Sequence, residues 1–208
     1  MSPIRRTSNP VPGPLARTAR ARTALVGACF AALALALASP SVAADPPGEI
    51  TFIGQNAVLT ANGAFHRFAI AEQNVDLADL PASFVVVEVD VASVDTGIEQ
   101  RDEHLRTADF FDVERFPTAT VRVHSARPNG ADAGGHPRYA ATFDLTLLGT
   151  TKSVDGAFTV LSESPLTVEG ELTVDRTQWG IGEPKSWYNP LSLENEIPIH
   201  FRATLEPR

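Results

Sequence analysis

Hydrophobic and polar residues alternate with a period of two over most of the chain beyond residue 45. From Ser83 to Asp95 (SFVVVEVDVASVD), Val85, Val87, Val89 and Val91 fall on one face, and Val86, Glu88 and Asp90 on the other. Ala119 to Ala126 repeats the pattern, with Val121 and Val123 against Thr120, Arg122 and His124. Tyr139, Ala141, Phe143, Leu145 and Leu147 form the next apolar row, opposed by Thr142, Asp144 and Thr146. Such rows mark antiparallel strands with one face buried and one in water. Leu148-Gly149-Thr150-Thr151 predicts a turn into Ser153 to Leu161, where Val154, Phe158 and Val160 share a face. Ser162 to Pro165 predicts a second turn, leading to Val168, Gly170, Leu172 and Val174 against Glu169, Glu171 and Asp175. The last row, Glu196 to Glu206, sets Ile197, Ile199, Phe201, Ala203 and Leu205 against Pro198, His200, Arg202 and Thr204. Two earlier strands, near Glu49–Gly54 and Gly63–Ala71, have an ambiguous inward face, because Phe65 and Phe68 are both candidates for burial. The tally is about eight, a number that commonly closes an all-β barrel.

The connection from Gly97 to Pro117 breaks this pattern. Ile98, Leu105, Ala108 and Phe111 recur at spacings of seven, three and three, which places them on one side of a short helix. Charges take the other side, where Asp102 and Arg106 form an i,i+4 pair in the favourable order, worth roughly a few tenths of a kcal/mol. The segment RDEHLRTADFF, Arg101 to Phe111, is therefore expected to be an amphipathic cap between the third and fourth strands, with Leu105 and Phe111 sealing one barrel end.

Residues 1–44 have a different character. Arg5, Arg6, Arg17, Arg20 and Arg22 precede the apolar run ALVGACFAALALALA without an acidic residue, and Ser41-Val42-Ala43 supplies small residues for cleavage. This is the pattern of a secretory signal peptide, so residues 1–44 are assigned to export and residues 45–208 to a single exported domain. Val26-Gly27-Ala28-Cys29 is only a loose lipobox, since most of the apolar run follows the cysteine. Thr7-Ser8-Asn9-Pro10 lacks the apolar residues that usually follow a twin-arginine pair. Cys29 is the single cysteine, so cleavage would leave no thiol for disulfides, nucleophilic catalysis or metal binding. The exported domain would carry 12 Lys and Arg against 25 Asp and Glu, a net charge of −13. That balance disfavours nucleic acid and anionic lipid surfaces as partners.

Asp102, Glu103, His104 and Asp109 form the densest ionisable cluster, the best place for a general acid or base. No nucleophile elbow or HExxH pattern accompanies it, and no catalytic residue is assigned. Arg101 and His104 are candidates to fix the cap by hydrogen bonds or to meet a polar ligand head. The five histidines, His66, His104, His124, His136 and His200, have no i,i+2 or i,i+4 pairing, and no metal site is predicted. WGIGEP is no nucleotide loop, because Pro184 blocks the helix that phosphate binding needs. QWGIGEPKSWYNP places Trp179, Trp187 and Tyr188 among turn formers, a pattern that fits a ligand portal and ordinary packing over a barrel end equally well.

SVDTGIEQRDEHLRTADFFDVERFPTA (Ser93 to Ala119), LTLLGTTKSV and VDRTQWGIG together resemble the YceI-like family, and the resemblance covers essentially all of residues 45–208. It implies an extended eight-stranded, lipocalin-like antiparallel barrel in the periplasm, whose apolar tunnel holds a long isoprenoid such as ubiquinone or a polyprenyl phosphate, or a related amphiphile, with no cofactor. Some members accompany a membrane cytochrome b, which implies a quinone-linked partner. Phe143 stands where a glycine is common before the DLTL-type strand, and Val121 lies near a position that is often aromatic; both departures would reshape the tunnel.

On this reading the wall comprises Val85, Val87 and Val89, then Val121 and Val123, then Phe143, Leu145 and Leu147. Phe158, Val160, Leu172, Ile199 and Phe201 continue it, with Leu105, Phe110 and Phe111 from the cap and Trp179 from the loop. Ala141 and Gly170 would leave space, so Gly170→Leu is expected to occlude the tunnel. Each CH₂ removed from water contributes roughly 0.8 kcal/mol, enough for a chain-like ligand to bind without strong polar contacts. Two other readings stand beside this one: an enzyme acting on a lipid head group through His104 and Asp102 or Glu103, and an acidic interaction partner of a membrane cytochrome. Oligomeric state has no signal in the sequence.

Overall fold

The computed structural model describes residues 47–206, and the expected signal peptide with Cys29 lies outside them. Ten strands follow in order: β1 (Gly48–Gln55), β2 (Thr60–Phe65), β3 (Phe68–Asn74), β4 (Phe84–Asp90), β5 (Val94–Asp95), β6 (Thr118–Ala131), β7 (Pro137–Leu147), β8 (Thr150–Glu163), β9 (Leu166–Asp175) and β10 (Glu196–Leu205). One helix, α1 (Glu99–Arg106), lies between β5 and β6. All strands pair antiparallel in a single curled sheet of order β3-β4-β6-β7-β8-β9-β10-β1-β2-β5.

The expected eight strands become ten because two of them break. The second expected strand is interrupted at His66-Arg67, giving β2 and β3, and the third at a 3-10 turn over Val91–Ser93, giving β4 and β5. The breaks face each other. His66 N–H donates to Ser93 O (3.3 Å), Asp90 N–H to Arg67 O (2.9 Å) and Arg67 N–H to the Ser93 hydroxyl (3.0 Å). The two ends of the sheet order, β3 and β5, are thus continuations of β2 and β4, and the sheet curls back on itself at this corner. The interruption also resets the alternation, so Phe65 and Phe68, three residues apart, both pack inward beside Ile50 and Val87.

Elsewhere the period-two rows hold. In β9, Leu166, Val168, Gly170, Leu172 and Val174 are buried while Glu169, Glu171 and Thr173 are exposed. Glu88 and Arg122 likewise stand exposed on the outside, so the sheet is polar outward and apolar inward, the reverse of a barrel that faces lipid with its strands. Leu147 pairs with Thr150 across a two-residue hairpin whose Leu148 and Gly149 have φ of 48° and 72°, the left-handed conformation that a tight antiparallel connection of this twist requires.

The register defines two ends. At one, the end of β1, the start of β10 and the ends of β7 and β9 come together under α1 and the long segment between β9 and β10. At the other, Val75, Val160, Leu166, Val168 and Leu205 pack into a floor.

Candidate functional site

The sheet encloses a cavity of about 490 Å³, within the roughly 300–1,000 Å³ of small-molecule sites. β10 contributes Ile197, Ile199, Phe201, Ala203 and Leu205 to its wall, about 27 Å of strand at the antiparallel rise. The cavity therefore runs along most of the barrel. Val85, Val87 and Val89 of β4, Val121 and Val123 of β6, and Phe143, Leu145 and Leu147 of β7 all line it, as do Phe158, Leu172, Leu105, Phe110 and Phe111. Every wall residue expected from the sequence is brought together except Val160 and Trp179. The wall also includes Ile50 and Phe52 of β1, and Phe65 and Phe68, whose shared inward face the β2–β3 break hides from the alternation.

Val160 belongs to the floor, beside a smaller void of about 50 Å³. Trp179 is buried away from the cavity, its indole N–H donating to Thr150 O (2.9 Å). A buried indole needs an acceptor, and the first carbonyl of β8 supplies one. Gly170 leaves no free space: a Cβ there would lie 2.3 Å from Phe201 Cζ and 2.6 Å from Ala157 O. Ala141 is buried and does not line the cavity. Phe143 is nearly inaccessible, with its ring where a Cβ on Gly156 would stand (2.7 Å), so much of its extra bulk is taken up by the sheet.

The cap differs from the expected helix. α1 stops at Arg106, so Ala108 and Phe111 lie beyond it, and Ile98 is 53% exposed. The face turned to the cavity is Arg101, His104 and Leu105, at i, i+3 and i+4. Asp102, expected on the solvated side, is buried. Its carboxylate accepts from the Thr96 N–H (2.9 Å) and from the Thr96 hydroxyl. Arg101 returns to the same residue, Nε donating to Thr96 Oγ1 and Nη2 to Thr96 O, each at 2.7 Å. Arg106 donates to Ala92 O (3.0 Å) and Val94 O (2.8 Å). The expected Asp102–Arg106 pair does not form, because bonds from a charged group to part-buried backbone outweigh an exposed ion pair.

Polar groups reach the cavity mainly at the capped end, from Asn56, Thr96, Arg101, His104 and Arg176. Arg176 is buried and donates from Nε to Glu194 O (2.9 Å), from Nη1 to Ile181 O (2.5 Å), and from Nη2 to Glu183 O and Leu193 O (both 2.8 Å). Burial holds its pKa below the usual guanidinium value, with the Asp175 charge opposing. It clamps the β9–β10 segment over the cavity. Its place in VDRTQWGIG was visible in the sequence, but the four carbonyls it gathers were not.

The geometry does not pair His104 with Asp102 or Glu103. Asp102 is tied to Thr96, Glu103 is exposed, and His104 meets the exposed Asp109 (3.3 Å) and the edge of Phe110. On the outer face, His124 bridges Ser125 (2.9 Å) and Asp144 (3.0 Å), and the Ser153 hydroxyl donates to Asp144 (2.5 Å). The Ser153 bond first, and then that from His124, hold the Asp144 carboxyl below its ordinary pKa. Ser125 lines neither cavity. Among the described residues, no three His, Cys, Asp or Glu side chains converge as metal ligands.

Comparison with known proteins places this architecture. The chain is 37% identical over 92 residues to a UPF0312 protein of Vibrio cholerae, covering 44% of this chain and 46% of that protein, so it spans about half the length of the first curated relatives it matches. It is 34% identical over 143 residues to Protein YceI of Escherichia coli, 64% of this chain and 70% of the relative. Among solved structures, Burkholderia cenocepacia BcnA superposes with a TM-score of 0.64 at 24% identity, over 76% of this chain and 96% of that one. A structure described as a polyisoprenoid binding domain from Saccharophagus degradans superposes with a TM-score of 0.53 at 14% identity, over 76% and 94%. At these identities the two superpositions show the fold. The model of the YceI-like domain matches residues 45–205, the whole of the curled sheet, and the chain belongs to that family.

Proposed function

We propose that this protein binds a long isoprenoid, or a related amphiphilic lipid, in the cavity and carries it in the periplasm without altering it. The observation that carries this reading is that Val85, Val87, Val121, Val123, Ile199 and Phe201 face inward yet stay only half-buried. A filled core would bury them. The export signal read in residues 1–44 supports the compartment, and the solved neighbour described as polyisoprenoid-binding supports the ligand class. The tail lies along the strand rows, and the head meets Arg101, His104 and Asn56 at the capped end. An isoprene unit of five carbons contributes roughly 4 kcal/mol on transfer from water. A few units therefore offset an association cost of about 4–15 kcal/mol.

Val121 lies mid-wall, paired with Val87 on one side and Leu145 on the other. Val121→Trp should fill the lumen. Lipid extracted from the purified variant and quantified by mass spectrometry should fall at least about tenfold, while thermal stability stays near the parent's, whereas overfilling a packed core costs about 1–3 kcal/mol. Val86→Trp, on the outer face of β4, should retain the lipid. Equal lipid in Val121→Trp and parent, or none in the parent expressed in its native periplasm, would reject the proposal.

A further inference from the structure

Two loops at the capped end carry no charge, and the structure joins them. The turn at residues 56–59 and residues 186–193 of the β9–β10 segment contain no Asp, Glu, Lys or Arg, in a chain with 25 acidic residues, and Lys185 and Glu194, which flank the second stretch, pair with each other. Ala57 N–H donates to Pro190 O (3.1 Å), Asn56 Nδ2 to Leu191 O (3.2 Å) and Glu194 N–H to Gln55 O (2.8 Å). The turn between β1 and β2 is thereby held against the segment before β10. Val58, Leu59, Trp187, Tyr188 and Leu191 are exposed on these two loops, five of the seven large exposed hydrophobic residues among those described. Trp187 is 94% exposed and meets Tyr188 edge-on at 5.6 Å between ring centres. Leu191 is 62% exposed and also lines the cavity, as does Asn56. The cavity thus reaches the surface beside this patch.

We propose that the patch docks on the surface of a zwitterionic lipid bilayer and that the cavity loads its occupant from there, an inference that rests on the lipid-binding reading above. Trp and Tyr side chains favour the membrane–water interface, where an apolar ring and a polar edge are both satisfied. Loops without charge enter that layer without the desolvation that a Lys or Asp would suffer. The excess of acidic residues on the rest of the domain is repelled by anionic headgroups, which selects a zwitterionic surface. A protein partner fits less well, since five exposed side chains fall far short of the roughly 20–30 residues a side in a stable interface. An opening beside Leu191 lets a chain-like ligand pass from the acyl layer to the cavity wall without crossing water.

Trp187 and Trp179 are the only tryptophans, and Trp179 is buried, so fluorescence reports on the patch directly. With phosphatidylcholine vesicles carrying brominated acyl chains, the parent's emission should shift to the blue and be quenched, and Trp187→Phe should abolish both changes. Combining Trp187→Ser, Tyr188→Ser and Leu59→Ser, all at exposed positions that do not line the cavity, should lower vesicle partitioning at least about tenfold. The same variant should take up geranylgeraniol from those vesicles at least about tenfold more slowly, with equilibrium binding of geranylgeraniol from detergent micelles unchanged. An unquenched parent, or a triple variant that partitions like the parent, overturns the docking proposal and leaves the carrier reading standing. A parent dimer that Trp187→Ser dissociates in sedimentation also overturns it, assigning the patch to a second copy. Failure of the parent to bind geranylgeraniol from micelles, with vesicle quenching intact, rejects the carrier reading and not the docking.

Discussion

Removing Arg176 should loosen the mouth of the cavity more than any other single change in the cap. The side chain is 3% exposed, and its acceptors are the carbonyls of Ile181, Glu183, Leu193 and Glu194, at 2.5–2.9 Å. All four belong to the segment joining β9 to β10, so one guanidinium gathers both limbs of that loop. Arg176→Met keeps much of the volume and removes every donor. Hydrogen bonds from a charged donor contribute about 1.5–3 kcal/mol each, but a released loop recovers water for some carbonyls. The expected loss is therefore about 3–5 kcal/mol, the range for breaking a buried polar network. For a domain of this size each kcal/mol shifts Tm by roughly 2–4 °C, giving a fall on the order of 10 °C by circular dichroism. Hydrogen exchange should accelerate over residues 180–195 before the strands are affected. Arg176→Lys should recover little of this, because an ammonium cannot fork to four acceptors. The clamp reading fails if Arg176→Met melts within about 2 °C of the parent with loop exchange unchanged.

Two further predictions concern the outer face and the helix. Asp144 has its folded pKa below the ordinary carboxylate value, first through the Ser153 hydroxyl and then through His124. Its contribution is thus fully present above that ordinary value and is lost as pH falls through the folded one; Asp144→Asn should lower the urea midpoint at neutral pH and converge with the parent in acid as the carboxylate is protonated, and an equal deficit at every pH would show that the carboxylate's charge is not the source. Arg106→Ala, which an exposed-pair reading limits to about 1 kcal/mol, should lower unfolding free energy by about 2–3 kcal/mol by freeing the carbonyls of Ala92 and Val94; a urea titration giving under about 0.5 kcal/mol would return Arg106 to the surface.

Strand faces were legible because burial and alternation share one period, and a row such as Val85, Val87 and Val89 has only one way to face inward. The breaks were not legible. His66-Arg67 contains neither Gly nor Pro, and the interruption there is set by pairing with Ser93 and Asp90 across the corner, a contact between segments far apart in sequence. The cap misled for a related reason. Counting Ile98, Leu105, Ala108 and Phe111 as one stripe assumes a helix through Phe111, but the Thr107 hydroxyl bonds His104 O (2.8 Å) and helix α1 ends there. Asp102 looked like a solvated charge because its partner, Thr96, lies outside the helix in sequence and is not ionic. In each case a polar backbone or side-chain group was satisfied at a distance that periodicity does not see.

The hollow interior has a cause of the same kind. The chain has 11 phenylalanines, and rings projecting from several strands would meet near the axis and fill the lumen. Three of them are instead seated on glycines. A Cβ on Gly63 would lie 2.3 Å from Phe52 Cζ, one on Gly170 2.3 Å from Phe201 Cζ, and one on Gly156 2.7 Å from Phe143 Cε2. Phe52 and Gly63 are direct cross-strand partners, as are Phe201 and Gly170, so each ring covers the strand beside it. An aromatic ring lying over a glycine protects that strand's backbone and restores the packing the missing side chain would give. The β-branched rows of β4 and β6 line other parts of the wall with shorter side chains, Val123 directly beside Phe143. Gly170, expected from the sequence to leave space, therefore acts at second hand, as Gly63 and Gly156 do: the room they make is occupied by Phe201, Phe52 and Phe143, and what those rings vacate is the cavity.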